Sequence, residues 1–157
     1  MVYKGVYGVL LALHLITVVF IVGPLVFAAS SAPRLLRGGA EAVGSLQNTL
    51  RAVRLYSALS LLTVILGTGL VSIKSSASSP HTNWDFGDPW IGASYVLWLI
   101  AVAVSFLLIG GGLQQGITEL QAGRPARAAI GKVAAGAGVA SLCWLAIVVL
   151  MVFKFGS

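Results

Sequence analysis

Four long apolar stretches, separated by short charged segments, set the hydrophobic pattern of this chain. A helix of about 20 apolar residues crosses the roughly 30 Å hydrocarbon core of a bilayer. The windows without charged residues are 5–33, 55–73, 89–118 and 133–153. We therefore predict an all-α polytopic membrane protein, with one four-transmembrane-helix bundle over residues 1–157. The predicted helices are 4–29, 53–74, 89–113 and 131–155.

The first span carries one polar stripe on an otherwise apolar helix. At about 100° per residue, the members of this stripe fall within roughly a third of the helix circumference. They are Tyr3, Tyr7, His14, Thr17 and Pro24. An ionisable group is costly in hydrocarbon, so the stripe should face protein and leave the remaining surface to lipid.

Helical periodicity continues outside the predicted spans. From Glu41 to Leu55, apolar residues recur at spacings of three and four, which predicts a helix running into the second span. Its apolar face would lie on the membrane or on a partner protein. The triplet Gly110-Gly111-Gly112 is instead predicted to end a helix.

Small and hydroxyl-bearing residues mark the faces where helices should approach each other in lipid. The second span offers Ser57, Ser60, Thr63, Gly67 and Thr68 on one broad face. The fourth offers Gly131, Ala134, Ala135 and Gly138, with the spaced pairs Gly136/Ala140 and Ala137/Ser141. We expect these faces to form the internal seams, although the same pattern also suits helices of another subunit.

Composition and charge narrow the function classes. Hydrophobic residues make up 58% of the 157 positions and charged residues only 9%, whereas soluble domains carry about 25% charged residues. A water-soluble fold is thereby excluded. The net charge of +6 lies in short segments beside apolar runs, where membrane topology and anionic lipid explain it better than nucleic acid does.

The loops predict an orientation of the protein in its membrane. The first and third loops are rich in Arg and Lys, which mark cytoplasmic segments. The second loop, with Asp85 and Asp88 against Lys74, and both termini would then lie outside. Anionic lipid headgroups are expected to contact Arg34, Arg37, Arg124 and Arg127.

The second loop ends in an aromatic cluster. Trp84, Phe86, Trp90 and Tyr95 are predicted to form a belt at the membrane interface, or alternatively a docking surface for a partner. Asp88-Pro89 has the N-cap and N1 residue types of a helix start.

His14 is the one candidate for chemistry at membrane depth. A lone histidine there could ligate haem or copper or relay protons, but the only other histidine, His81, lies in the second loop. We therefore expect no resident cofactor and no self-contained metal site. A neutral His14 hydrogen-bonded to Thr17, Ser60 or a backbone carbonyl is the favoured interpretation.

Other catalytic patterns are missing from the sequence. No Asp or Glu lies inside a predicted span, Cys143 is surrounded by apolar residues, and no nucleophile–base spacing or phosphate loop is present. The sequence therefore predicts that the protein is not an enzyme. The candidate contact residues for other subunits are His14, Trp84, Phe86, Trp90 and Gly138.

Two sequence segments carry a resemblance to known proteins. The segment LALHLITVVFIVGPLVFAAS, followed by PRLLR, and the segment DFGDPWIGASYVLW are similar to a broad family of uncharacterised four-helix bacterial membrane proteins. The composition resembles that of actinobacterial proteins. Among these are accessory subunits of the respiratory supercomplex, which joins a cytochrome bcc complex to a cytochrome c oxidase. The resemblance implies a cofactor-free subunit that supports assembly or stability.

Two functional hypotheses follow. The first is a non-catalytic accessory or assembly subunit of a larger membrane complex, with the respiratory supercomplex as the named candidate. The second is a stand-alone small membrane carrier, channel or metal-handling protein. In that case a homo-oligomer would bring together the His14 side chains of two copies as ligands.

Overall fold

The computed structural model describes residues 2–75 and 86–153, and the side chains of 5–73 and 86–153 within them. All regular secondary structure in this part of the chain is helical, which confirms the all-α class. Four helical segments of this part of the chain are long and apolar enough to cross a bilayer. We call them spans one to four, in chain order. They form the bundle of a multi-pass membrane protein.

The described spans consist of six α-helices with short π- and 3₁₀-helical segments. Span one comprises α1 (Val2–Thr17), a π-helical segment (Val18–Val22) and α2 (Gly23–Arg37). Span two comprises a 3₁₀ turn (Gly39–Ala42) and α3 (Val43–Ser75). Span three comprises α4 (Pro89–Val104), a π-helical segment (Ser105–Gly110) and α5 (Gly111–Gln121), and span four is α6 (Arg127–Phe153).

The helices at the basic end of the bundle are longer than the predicted spans. Span one continues to Arg37 rather than residue 29, and span three continues to Gln121 rather than residue 113. The apolar pattern ends where a helix leaves the hydrocarbon, whereas helix formers such as Arg, Leu and Gln extend the helix itself. Gly39 (φ 72°) and Gly123 (φ 70°) follow these two ends, in a left-handed conformation that favours glycine.

The predicted helical extension before span two is confirmed. Helix α3 starts at Val43 and continues through the predicted span without a break. Its apolar residues Leu46 and Val53 are fully buried. This face therefore packs inside the protein, rather than on the membrane surface or on a partner.

The glycine triplet does not end a helix, contrary to the prediction. Gly110 closes the π-helical segment, and α5 continues from Gly111. A Cβ atom at Gly112 would lie only 2.6 Å from Cγ2 of Val133 on α6. The glycine thus permits a close helix–helix approach, which in lipid compensates for its low helix propensity.

The π-helical segment of span one lies directly before Gly23-Pro24. Proline has no amide hydrogen, and its ring crowds the carbonyl four residues earlier, here that of Phe20. A π-helical turn accommodates this disruption. It separates α1, which carries His14, from α2, which packs into the core.

The two ends of the bundle are packed differently. In the half with the basic turns, the basic half, α2 packs against α3 and α6, and α5 packs against α6 and α3. In the other half, the terminal half, α1 packs mainly against α3, and α4 packs mainly against α6. The bundle is therefore closed at its basic half and divided into two helix pairs at its terminal half.

Large apolar side chains cover the outside of the bundle. Phe20, Phe27, Leu107 and Leu142 are among them, and Phe27 is 76% exposed. A water-soluble monomer rarely exposes so much contiguous apolar surface. This outer surface suits hydrocarbon and agrees with a multi-pass membrane protein.

The predicted seam on span two is confirmed, because Ser57, Ser60 and Thr63 are buried. The predicted seam on span four is only partly correct. Its buried small residues are Gly136, Ala137 and Ala140. Gly131, Ala134, Ala135 and Gly138 are exposed on the opposite side. Small residues occur all around this helix, so the sequence pattern could not select the buried face.

Candidate functional site

His14 lies in the seam between α1 and α3, only 6% exposed. Its Nδ1 atom is 2.9 Å from the backbone carbonyl oxygen of Thr63. Of the three predicted kinds of partner, Thr17, Ser60 or a backbone carbonyl, the structure has the carbonyl. The hydroxyl of Thr17 instead donates to the carbonyl of His14 within the same helix, at 2.7 Å.

Gly67, one turn beyond Thr63 on α3, makes room for the imidazole ring. A Cβ atom at this position would lie 3.1 Å from Cε1 and 3.5 Å from Nδ1 of His14. A side chain at this position would therefore press on the ring, which would have to shift by a few tenths of an ångström to admit even a methyl group. Gly67 acts as a positioning residue for His14.

The hydrogen bond to Thr63 fixes the roles of the two ring nitrogens. A carbonyl oxygen can only accept, so Nδ1 carries the hydrogen. In the neutral imidazole the lone pair is then on Nε2. This atom has no hydrogen-bond partner among the described residues, which leaves one acceptor of His14 unused.

His14 lines a cavity of about 420 Å³ in the terminal half. The cavity lies between the α1–α3 pair and the α4–α6 pair, where the bundle is divided. Its wall is almost entirely apolar, with aromatic rings contributed by α1, α4 and α6. The aromatic residues are Tyr7, Trp90, Tyr95, Trp98 and Trp144.

Two side-chain hydrogen bonds connect α3 to α4 beside the cavity. The hydroxyl of Thr68 lies 2.5 Å from that of Tyr95. The indole Nε1 of Trp98 donates to the hydroxyl of Ser60 at 3.0 Å, and Ser60 in turn donates to the carbonyl of Ser57 at 2.6 Å. These bonds hold two aromatic rings in place along the cavity wall.

Two further polar atoms on cavity-lining residues are buried without a hydrogen-bond partner in the described part of the chain. They are Oγ1 of Thr63 and Nε1 of Trp144. Leaving such atoms unpaired costs about 1–3 kcal/mol each. No charged side chain of the described residues lines the cavity.

The aromatic residues of the second loop do not behave as a uniform interfacial belt. Trp84 and His81 lie outside the described residues. Phe86 is exposed, directly before α4, but Trp90 is buried against Ile91 and Val71. Tyr95 also faces inward, since its hydroxyl bonds to α3. Trp90 and Tyr95 therefore belong to the cavity wall.

The helix start at Asp88-Pro89 is confirmed. Asp88 occupies the N-cap position with extended backbone angles, and Pro89 is the first residue of α4. The Asp88 carbonyl accepts from the amide of Ile91 at 3.0 Å. This junction sets the direction of α4 and thereby places Trp90 toward α3 and α6.

Sequence reasoning missed Trp98 and Trp144 as site residues. Each lies in the middle of an apolar run, where an aromatic residue is ordinarily part of the core or faces lipid. Trp98 and Trp144 line the cavity only because the two helix pairs are separated at this point. That separation depends on packing and leaves no local pattern in the sequence.

The basic residues predicted to contact lipid headgroups all lie at the end of the basic half. Arg34 and Arg37 occupy the last turn of α2, and Arg124 and Arg127 flank the start of α6. All four are exposed. This places them on one rim of the bundle, far from the His14 cavity.

Among the described residues, the cavity lining offers no second His, Cys, Asp or Glu side chain that could bind a metal ion together with His14. Within the described residues no group of three or more His, Cys, Asp or Glu side chains comes together. Cys143 is buried as a free thiol on α6. The chemistry that the site can provide is hydrogen bonding inside an apolar, aromatic cavity.

A second feature of potential functional use is the outward side of α6. The residues that we call the small-residue face are Gly131, Ala134, Ala135 and Gly138. No other group lies within 4 Å of a Cβ built at Gly131 or Gly138. This face is therefore a shallow depression, bordered toward the terminal half by the exposed side chains of Leu142 and Leu145.

Comparisons with protein-family models, with curated proteins and with solved structures find no match to this chain. Two geometric features of the molecule are candidates for its function. One is the cavity beside His14, and the other is the small-residue face of α6.

Proposed function

We propose that this protein is a non-catalytic accessory or assembly subunit of a larger membrane complex, and that it docks through the small-residue face of α6. The observation that carries the proposal is that Gly131, Ala134, Ala135 and Gly138 share one exposed face of α6, with open space above both glycines. In lipid, helices associate through close backbone approach rather than through the hydrophobic effect. A face of small residues is the surface that permits such an approach.

The arrangement of α6 supports docking on one side only. Its opposite face, with Gly136, Ala137 and Ala140, is already used for packing against spans one and three. Ala134 and Ala135 lie between the two outward glycines. A partner helix would therefore meet a continuous shallow surface in the basic half of the bundle.

The candidate partner comes from the sequence resemblance. It is the cytochrome bcc–cytochrome c oxidase supercomplex of actinobacterial respiration, in which this chain would hold no cofactor of its own. The basic rim, which carries Arg34, Arg37, Arg124 and Arg127, would face the cytoplasm and contact anionic lipids. The termini and the loop before α4 would then lie outside a bacterial plasma membrane.

The geometry gives less support to a metal-handling homo-oligomer. Nδ1 of His14 is engaged by the carbonyl of Thr63, and the ring is almost fully buried inside one copy. The His14 side chains of two copies could meet only if a helix of one copy entered the cavity of the other. We therefore do not assign metal transport to His14.

The test is affinity purification of the tagged protein from its native membranes in a mild detergent, read by mass spectrometry and by the visible haem spectrum. The wild-type protein should recover integral membrane subunits, with oxidase and bcc haem bands if the candidate complex is correct. Gly138→Leu fills the small-residue face and should lower partner recovery at least about fivefold.

Gly92→Leu is the matched control. Gly92 lies on α4, and a Cβ there also meets open space, so this variant makes the same chemical change on another exposed surface. It should recover partners as the wild type does. Recovery of the wild-type protein alone, or equal losses in both variants, would contradict the proposal.

A further inference from the structure

We propose that the cavity beside His14 binds a neutral, membrane-soluble molecule of the phenol or hydroquinone class, whose hydroxyl donates a hydrogen bond to Nε2 of His14. The inference is independent of the docking face on α6. It concerns the terminal half of the bundle, where the α1–α3 and α4–α6 pairs separate. The carrying observation is an apolar, aromatic cavity lined by His14, whose Nε2 atom is an acceptor without a partner among the described residues.

The hydrogen-bonding role of the ligand follows from the ring of His14. Its Nδ1–H is donated to the carbonyl of Thr63 at 2.9 Å, so the neutral ring offers only a lone pair at Nε2. A ligand that pairs with this atom must supply a donor. A hydroxyl group does so without carrying a charge into the hydrocarbon layer.

The size and lining of the cavity indicate the size and chemical character of the ligand. The cavity volume of about 420 Å³ falls within the roughly 300–1,000 Å³ that is usual for small-molecule sites. Among the described residues the lining is uncharged, which disfavours an ionic ligand. The aromatic rings of Trp90, Tyr95 and Trp144 suit a planar ring, which they can contact by stacking or edge-to-face packing.

The rim of the cavity indicates how the ligand would enter. Leu15 on α1 and Val148 and Val152 on α6 line the cavity and are also exposed on the outer surface of the bundle. These side chains face the lipid region. The cavity therefore communicates with hydrocarbon, and a molecule dissolved in the membrane can reach His14 without crossing the aqueous phase.

The test is equilibrium binding to the full-length protein in phosphatidylcholine nanodiscs. The probe is tritiated decylhydroquinone, kept reduced under anaerobic conditions. The matched ligand is its dimethyl ether, which has the same ring and tail but no donor. The hydroquinone should bind saturably, at one molecule per protein chain, and about tenfold more tightly than the ether.

Two tryptophan substitutions on α3 locate the binding site. Val64 lines the cavity, whereas its neighbour Ile65 does not line it and is 57% exposed on the lipid side. Val64→Trp should fill the cavity and abolish saturable binding of both ligands. Ile65→Trp adds the same side chain toward lipid and should leave both affinities within about twofold of the wild type.

A third variant tests the role of His14. His14→Leu removes the acceptor and should reduce the affinity ratio of hydroquinone to ether from about ten to about one, with the ether still bound. If this variant does not fold, the two ligands and the two tryptophan variants still decide the question. Three results would overturn the proposal. The first is non-saturable partitioning of both ligands, which is expected if the cavity is only a groove for lipid acyl chains. The second is equal affinity of the wild-type protein for the hydroquinone and for the ether. The third is an equal loss of binding in both tryptophan variants.

Discussion

The imidazole Nδ1 of His14 and the carbonyl oxygen of Thr63, 2.9 Å apart, join α1 to α3 by a buried hydrogen bond between two membrane-spanning helices. In the terminal half, α1 packs mainly against α3. The bond therefore reinforces the contact between α1 and its main packing partner. It also gives the buried, ionisable imidazole of His14 a hydrogen-bond partner.

His14→Leu should lower the free energy of unfolding by about 1–2 kcal/mol, because a buried interhelical hydrogen bond is lost. The measurement is unfolding in mixed detergent micelles with increasing sodium dodecyl sulfate, followed by circular dichroism. Thr17→Val is the control, since Thr17 bonds only within its own helix, and it should change stability by less than about 0.5 kcal/mol. Equal effects of the two variants would contradict a role for the His14–Thr63 bond in holding α1.

Gly116→Ala should destabilise the basic half of the bundle. A Cβ atom at Gly116 would overlap Cδ2 of Leu36 and lie 3.2 Å from Cβ of Ala129, and Leu36 is itself fully buried. Such overpacking costs about 1–3 kcal/mol. The same unfolding assay measures the loss.

Gly92→Ala is the control for this substitution. Its added methyl group meets open space on α4, and alanine is the better helix former by about 1 kcal/mol. This variant should therefore be as stable as the wild type or more stable. A stable Gly116→Ala protein would show that spans one, three and four are less closely packed than described.

The hydroxyls of Thr68 and Tyr95 should show energetic coupling. The Thr68 hydroxyl donates to the carbonyl of Val64 at 2.8 Å, so Tyr95 must donate in the 2.5 Å contact between the two side chains. A double-mutant cycle with Thr68→Val and Tyr95→Phe should give a coupling of about 0.5–1.5 kcal/mol. Additive effects would contradict a direct bond between α3 and α4.

The orientation of the bundle is testable with single cysteines. In a Cys143→Ala background, Ala122→Cys places a thiol at the turn between α5 and α6, and Gly87→Cys places one just before α4. A membrane-impermeant maleimide added to intact cells should label only Gly87→Cys, because basic loops stay in the cytoplasm. Labelling of Ala122→Cys in intact cells would show that the protein has the opposite orientation.

The helical class could be predicted because the apolar windows are long and nearly free of charge. His14 could be predicted as a packed residue because ionisable side chains in hydrocarbon require partners. Its partner could not be identified, since a backbone carbonyl such as that of Thr63 leaves no trace in the sequence. Helix ends also escaped prediction, because Gly39 and Gly123 end helices beyond the apolar windows.

The cavity and the exposed side of α6 required three-dimensional packing. Gly136 and Gly138 are two residues apart and have the same side chain, yet one is buried and the other exposed. The sequence predicts an interfacial position for Trp90 and places Trp98 within an apolar run, but both residues line the cavity. What decides these positions is the rotation of each helix about its axis, which near-uniform apolar sequence does not specify.

The most direct test of the proposed docking face is photo-crosslinking in native membranes. Benzoylphenylalanine at Leu142, an exposed residue that borders the small-residue face without filling it, should form a covalent adduct with a different membrane polypeptide. The same group at Leu99, exposed on α4, should form no adduct with another polypeptide. Adducts with lipid alone at both positions, or adducts with a second copy of this chain at Leu142, would contradict the account.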